Sequence, residues 1–493
     1  MGNPDLDEQR HTKVFRRELE DWERTMRLLA MFIVFWVIGN PAFAITFDEA
    51  RHLLARTGFG VAALEEIEAL LPLTFEQSVD RIIDGVRTEP VVPLPVFQVK
   101  PGAGSRKRNM NAGERKLFQA RVKRDRRGLK FWWIKEMLAT DSPLTEHLVM
   151  FWHNHFVSES RKVKFGQMMA QQNAVFRKHA LGNFREMLTE VSIGPAMLIY
   201  LDGRKNVKGK PNENFAREIL ELFTLGEGQG YTEEDVREAA RAFTGWTIYR
   251  ETGEFVFLLG RHDNLNKDFL GQSGNFDGID ILRIILKQPQ VAEFITGKLW
   301  REFVSTKLDR AEIKRIAKLF RESDYKIRPL MKALLMAPKF RNPSNRGTLI
   351  KSPVELVIGT LRLLRMNAPP LKRVFRHQKR LGQDIFDPPD VKGWRGAGAW
   401  INSSTTLMRA QFVRTVSRSV YAAVKESESL APVMVKLPFG GAEPFPLLRQ
   451  EEAKPGSLER LLLPIKPVLS RSTRGRSKRL LRNLMLDPVY QLK

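Results

Sequence analysis

The densest set of residues able to do chemistry runs from Tyr200-Leu201-Asp202-Gly203-Arg204-Lys205-Asn206 through Gly209 to Glu213 and along a helix to Leu225. Asp202, Asn206, Asn212 and Glu213 offer hard oxygen donors around a glycine-containing loop, the ligand type that Ca2+ or Mg2+ prefers. The spacing departs from the twelve-residue calcium loop, because its third position is Arg204. In the helix, Phe215, Ile219, Leu222 and Phe223 recur at i, i+4, i+7, i+8 and must face a core. Asn214, Arg217, Glu218 and Glu221 fall opposite, free for polar work, with Glu218 a candidate for proton exchange. Glu213, Arg217 and Glu221 also follow i, i+4, i+8, which equally predicts a ladder with Arg217 clasped between two carboxylates.

Phe151-Trp152-His153-Asn154-His155-Phe156 is the second concentration. On a helix His153 and His155 lie about 200° apart, and His147 and His155 share a face at a separation of roughly 12 Å, so neither pair holds a metal unaided. His153 or His155 remains a candidate acid-base; a packed, hydrogen-bonded aromatic-histidine cluster is the alternative. The third patch joins Gly382 to Phe386, Pro388-Pro389, Lys392-Gly393-Trp394 and Ala399-Trp400. Trp394 and Trp400 offer flat apolar faces suited to sugar stacking or to packing in a structural loop. No nucleophile elbow, phosphate-binding loop, zinc-protease helix or dinucleotide fingerprint is present.

The elements that must position these residues are helical almost throughout. Periodicity and caps predict helices at 47–56, 62–71, 74–84, 165–179, 232–243, 279–287, 291–304, 310–320, 327–336, 353–364 and 405–416. Others begin at Phe131-Trp132-Trp133, after Gly128 restarts the helical pattern, and at Pro143. The one strand pattern, Glu254 to Leu259, predicts a small hairpin with Lys267 to Gly271. The expected fold is therefore mainly α, a large helical domain over 45–416 with at most a small β-hairpin near 254–271. Residues 417–493 read as a peripheral segment with a terminal helix.

Two features bear on where the chain works. Met26-Arg27, the uncharged run Leu28 to Ile38, Gly39-Asn40-Pro41 and Ala42-Phe43-Ala44 have the parts of a bacterial secretory signal. This predicts initiation at Met26, cleavage after Ala44, a periplasmic or secreted product and no membrane-spanning helix in its mature form. The net charge is +25, and residues 106–130 hold eleven Lys/Arg against Glu114 and Asp125. A basic insertion over 87–130 is either a solvated segment or an arm that binds polyanions through Arg106, Lys107, Arg108, Arg121, Lys123, Arg124, Arg126 and Arg127. An acidic polysaccharide, lipopolysaccharide or a membrane surface fits such an arm; export makes nucleic acid the least fitting partner. The chain has no cysteine, which excludes disulfides, thiol nucleophiles and thiolate metal sites.

Ordered blocks at Phe151 to Phe156, His179 to Phe184, Tyr200-Leu201-Asp202, Pro211 to Arg217, Glu221 to Gly226, Ala242 to Trp246, Lys351 to Glu355 and Pro388 to Trp394 resemble the DUF1800 family of bacterial proteins. The resemblance implies an exported, helix-rich protein and carries no activity or catalytic residue with it. The residues themselves point to a metal-assisted hydrolase or lyase acting on an anionic envelope or extracellular polymer. In that reading Asp202, Asn206, Asn212 and Glu213 hold the cation, and His153, His155 and Glu218 exchange protons. The rival is a non-catalytic envelope binding or scaffold protein that docks acidic glycan or lipid.

Overall fold

A computed structural model describes residues 44–102, 110–249, 251–366, 369–428, 451, 454–469 and 477–493. Residues 1–43, on which the expected secretory signal falls, and Arg106, Lys107 and Arg108 of the basic segment, lie outside the described residues. Among those described, no helix is long and apolar enough to cross a membrane.

Capping boxes closed by Thr46 and Thr74 start α1 (Phe47–Thr57) and α2 (Phe75–Asp84). A proline-rich strap, residues 86–100, leads into the long α3 (Ala112–Ala139), and α4 (Pro143–His155) begins on proline, whose missing N–H costs nothing at that position. Then come α5 (Gly166–Lys178), α6 (Phe184–Ser192), α7 (Glu213–Glu218), α8 (Glu233–Ala242) and α9 (Gly278–Leu286). They are followed by α10 (Pro289–Leu299), α11 (Arg310–Glu322), α12 (Ile327–Met336), α13 (Pro353–Leu363), α14 (Leu371–Arg380), α15 (Ser403–Glu428) and α16 (Ser477–Leu486). Both α7 and α10 run directly into π-helical turns, Ile219–Thr224 and Trp300–Val304.

The fold is mainly α, as the periodicity requires, but the strand residues pair differently. Strands β1 (Trp246–Ile248) and β2 (Phe255–Phe257) form one antiparallel hairpin, and β3 (Lys267–Phe269) and β4 (Gln272–Gly274) a second. Each strand finds its partner across a short turn, so the loop between Phe257 and Lys267 need not close.

Helix α4 is the hub. Its residues are buried on nearly every side, so Glu146, His147, His153 and His155 must all find partners inside the protein. Its own Trp152, packed against Phe156 and Phe184, and the neighbouring Trp133 and Trp300 are wholly buried.

Two sequence boundaries dissolve. Helix α3 runs unbroken from Ala112 through Gly128 into Trp132-Trp133, with Val122, Asp125, Leu129 and Lys130 buried, so the second half of the basic segment belongs to the body. Lys130 is bonded to Asp384 and, at 2.7 Å, to Asp387. At the other end α15 passes through residue 416 without a break. Leu481, Leu484, Met485, Val489 and Tyr490 are buried, so the terminal helix and the turn after it belong to the core and are not peripheral.

Candidate functional site

The partners of the four polar residues on α4 divide structure from chemistry. Glu146 is held by Arg177 at 2.7 Å and 2.9 Å and receives the Trp133 indole N–H at 2.7 Å, a closed and fully buried arrangement. His153 sits among Trp133, Phe176, Phe386 and Trp394; burial, ahead of the opposing influence of Asp387, pushes it down to about 4. His155 contacts the Phe223 carbonyl through Nε2 at 3.1 Å and the Lys298 amine through Nδ1 at 2.8 Å, and burial holds it well below the ordinary imidazole range. Both rings are neutral at pH 7 and enclosed by aromatic side chains, Phe156, Phe223 and Phe294 among those around His155. The aromatic-histidine cluster is the arrangement observed.

His147 differs. Its Nε2 donates to Glu302 at 2.8 Å and lies 3.8 Å from Glu355, and ligand atoms of His147, Glu302 and Glu355 all fall within 4.8 Å of one another. The three come from α4, from the π-helical turn after α10 and from the first turn of α13. Glu355 binds the Ser352 N–H through Oε2 at 2.6 Å as part of a capping box, which leaves Oε1 facing His147 and the Lys493 amine. That amine also lies 3.8 Å from Glu302. Burial opposes ionisation of Glu302, but the His147 hydrogen bond and the charges of Lys493, His147 and Arg56 outweigh it and hold the carboxyl down to about 2.

These groups line a cavity of about 90 Å³ whose other walls include Asn154, Arg301, Trp394 and Trp400. Asn154 fixes the tryptophan loop: its Oδ1 accepts the Trp394 N–H at 2.7 Å and its Nδ2 donates to the Trp394 carbonyl at 3.2 Å. Gly393 is required here, because its φ is +79° and a Cβ would fall onto the Asn154 carboxamide. Trp394 and Trp400 are 5% and 9% exposed, so they form a cavity wall and not an open sugar platform.

The surroundings are cation-rich. Arg56 is wholly buried and donates to the carbonyls of Phe303, Val304 and Asn345 at 3.2, 2.9 and 2.8 Å, which anchors the end of the π-helical turn that carries Glu302. Burial lowers Arg56 to about 9, with Glu355 and Glu302 opposing the shift. Lys351 is lowered to about 7, first by burial and then by Arg51.

The loop at Tyr200 to Glu213 is built otherwise. Asp202 takes up a left-handed conformation, and its carboxylate is divided between Lys205 at 2.7 Å and Lys162 at 3.0 Å. Asn206 is buried and uses its amide on the Ala240 carbonyl (2.7 Å) and the Asn212 N–H (2.8 Å). Asn212 caps α7 through the Asn214 N–H at 3.1 Å. Glu213 meets Arg217 at 3.1 Å, Glu221 meets it at 3.3 Å, and Glu233 from α8 joins at 2.7 Å, so the ladder forms and gains a third carboxylate. Asp202, Asn206, Asn212 and Glu213 share this region, but their side chains are turned to separate partners and make no common cage. Glu218 is half-buried, and burial followed by repulsion from Glu221 raises it to about 6. None of these five residues, nor His153 or His155, lines the His147 cavity.

Arg126 is tied to Ser160 at 3.2 Å and to Asp387 at 3.4 Å, while Arg121, Lys123, Arg124 and Arg127 are exposed. Neither Glu302 nor Lys493 stands out in a reading of motifs and spacing. A charged pair, Arg301-Glu302, set between Leu299-Trp300 and Phe303-Val304 was the available signal for the first. Glu355 stood in the Lys351-Ser352-Pro353-Val354-Glu355 block, where its capping pattern hides its second oxygen.

A family model described as a protein of unknown function (DUF1800) matches residues 52–489. No curated protein and no solved structure matches the chain.

Proposed function

Because the chain belongs to the DUF1800 family, which is described only as of unknown function, we propose its activity from the cavity: a metal-assisted hydrolase or lyase that acts on an anionic envelope polymer after export. The observation that carries this is the convergence of His147, Glu302 and Glu355 from three separate segments on one cavity wall. One imidazole with two carboxylates is a donor set for Zn2+ or Mn2+ more than for the all-oxygen coordination of Ca2+. Such an ion supplies Lewis acidity and lowers the pKa of bound water. The protein's own groups do the rest. Arg301 and Lys493 place positive charge on the same wall, Trp394 and Trp400 exclude water, and Asn154 holds the tryptophan loop in position.

Lys493 is the internal competitor, since its amine binds the carboxylates that a metal ion needs. Titration of the metal-free chain with Zn2+ and Mn2+ in a calorimeter tests the reading, together with release of reducing or unsaturated ends from acidic polysaccharides. Glu302→Gln with Glu355→Gln is expected to weaken metal binding at least tenfold and to abolish turnover. Lys493→Met is expected to tighten metal binding. Uptake unchanged in both variants would sink the proposal.

A further inference from the structure

The cavity leaves unused a strongly basic surface built on α3. Of the acids on α3, Glu114 closes the N-terminal capping box. Asp125 accepts the Val99 N–H at 2.9 Å, and Glu136 accepts those of Val91 and Val92 at 3.1 and 2.8 Å. All three carboxylates are thus committed to backbone amides, and the strap 86–100 is seated along the Asp125, Trp132, Glu136 side of the helix. Trp132 completes the seat by donating to the Val92 carbonyl at 2.8 Å.

At 100° per residue, Leu117, Arg121, Arg124 and Lys135 fall within roughly 60° of one another beside that seat, and Arg127 lies a further turn of roughly 60° away. All five are exposed, and the basic ones make no ion pair among the described residues. On the far flank α14 packs against α3 through Phe375, whose ring is 6.2 Å from Phe131, and exposes Lys372, Arg376, Lys379 and Arg380. Beside this double basic ridge stand apolar side chains in water. Val96 is 93% exposed, Leu117 61%, Leu94 47% and Val91 45%.

Basic residues alone describe any polyanion site. Exposed aliphatic residues at the edge of a basic ridge describe an interface in which part of the partner is hydrocarbon. We propose that the strap and the exposed faces of α3 and α14 dock on an anionic phospholipid surface, with Val96, Leu94 and Leu117 entering the headgroup boundary and Arg121, Arg124, Arg127, Lys372 and Arg376 pairing with phosphates. The strap is tied to α3 at Val91, Val92 and Val99 by Glu136, Trp132 and Asp125, so the apolar residues are presented from an anchored backbone. This surface is separate from the His147 cavity and its test does not depend on turnover.

The test is flotation of the full chain with vesicles of phosphatidylcholine alone or mixed with phosphatidylglycerol, the neutral vesicles reporting any contribution from the apolar leader. The Arg121→Glu, Arg124→Glu, Arg127→Glu triple variant is expected to weaken binding to the mixed vesicles about a hundredfold. Val96→Ser with Leu94→Ser, which removes hydrocarbon without changing charge, is expected to weaken it about tenfold while leaving binding to soluble polygalacturonate unchanged. These positions are solvent-exposed, and unchanged thermal unfolding checks that each variant folds. Vesicle binding indifferent to the Val96 and Leu94 changes, or absent altogether while polygalacturonate or DNA is retained, overturns the proposal.

Discussion

The loop from Tyr200 to Glu213 and the cavity at His147 are both rich in polar side chains, yet they use them in opposite ways. In the loop, donors and acceptors lie close in sequence and satisfy one another: Asp202 with Lys205, Asn212 with Asn214, Glu213 with Arg217. In the cavity, His147, Glu302, Glu355 and Lys493 come from four distant segments, and no local partner is within reach of any but Glu355. Polar residues clustered along a chain have cheap partners nearby, and folding uses them up. Polar residues delivered singly into a core by separate elements keep unspent coordination for something else.

This contrast can be broken most severely at Glu355. Replacing it by Ala strands the Lys493 ammonium inside the protein, and urea unfolding is expected to show a loss of about 3–5 kcal/mol, with Glu355→Gln recovering part of it. A loss below 1 kcal/mol, on the order of a surface pair, would remove the distinction between the two regions.

A smaller effect lies in acid. The Glu302 carboxyl is held at about 2 in the folded chain, against about 4.3 when unfolded. The unfolded state therefore binds more protons between those values, and the Glu302 contribution is complete above about pH 4.3 and disappears as the pH falls through about 2. Glu302→Gln is expected to flatten that part of the stability profile, measured by urea midpoints across the window. Midpoints that run parallel to wild type would show that the His147 and Lys493 contacts do not hold the carboxylate.

The smallest change sharpens the loop side. Arg217 keeps Glu221 and Glu233 when Glu213 becomes Gln, so the expected cost is a few tenths of a kcal/mol and the effect should shrink in high salt. A cost above 2 kcal/mol would mean that the ladder is not the exposed, redundant network its geometry describes.

Much of the architecture was legible because it rests on short-range physics. Capping boxes at Thr74 and Thr232, proline at the first turn of α4 and α13, and the stripe Phe215, Ile219, Phe223 each encode their helix locally, as does the i, i+4 spacing around Arg217. The strand pairing was not, because Phe255 to Phe257 carries a strand pattern but no instruction to turn back to Trp246 in preference to running on to Lys267. The end of the basic segment was misplaced for a related reason. Gly128 reads as a restart of the helix, whereas the buried Val122, Asp125 and Leu129 carry α3 straight through it.

The sequence by itself determined that this chain folds as a helical body without cysteine chemistry, which helices it uses and where they begin, since hydrogen bonding and periodicity within a few turns decide those matters. Only the tertiary structure decided that His153 and His155 are closed into aromatic packing while His147 opens on a cavity. Three positions on one helix face different neighbours, and separate parts of the chain supply them: Glu302, 155 residues from His147, Lys298, 143 residues from His155, and Phe386 beside His153. Contact between such segments is set by how amphipathic faces pack, a property of the assembled body that no local pattern records.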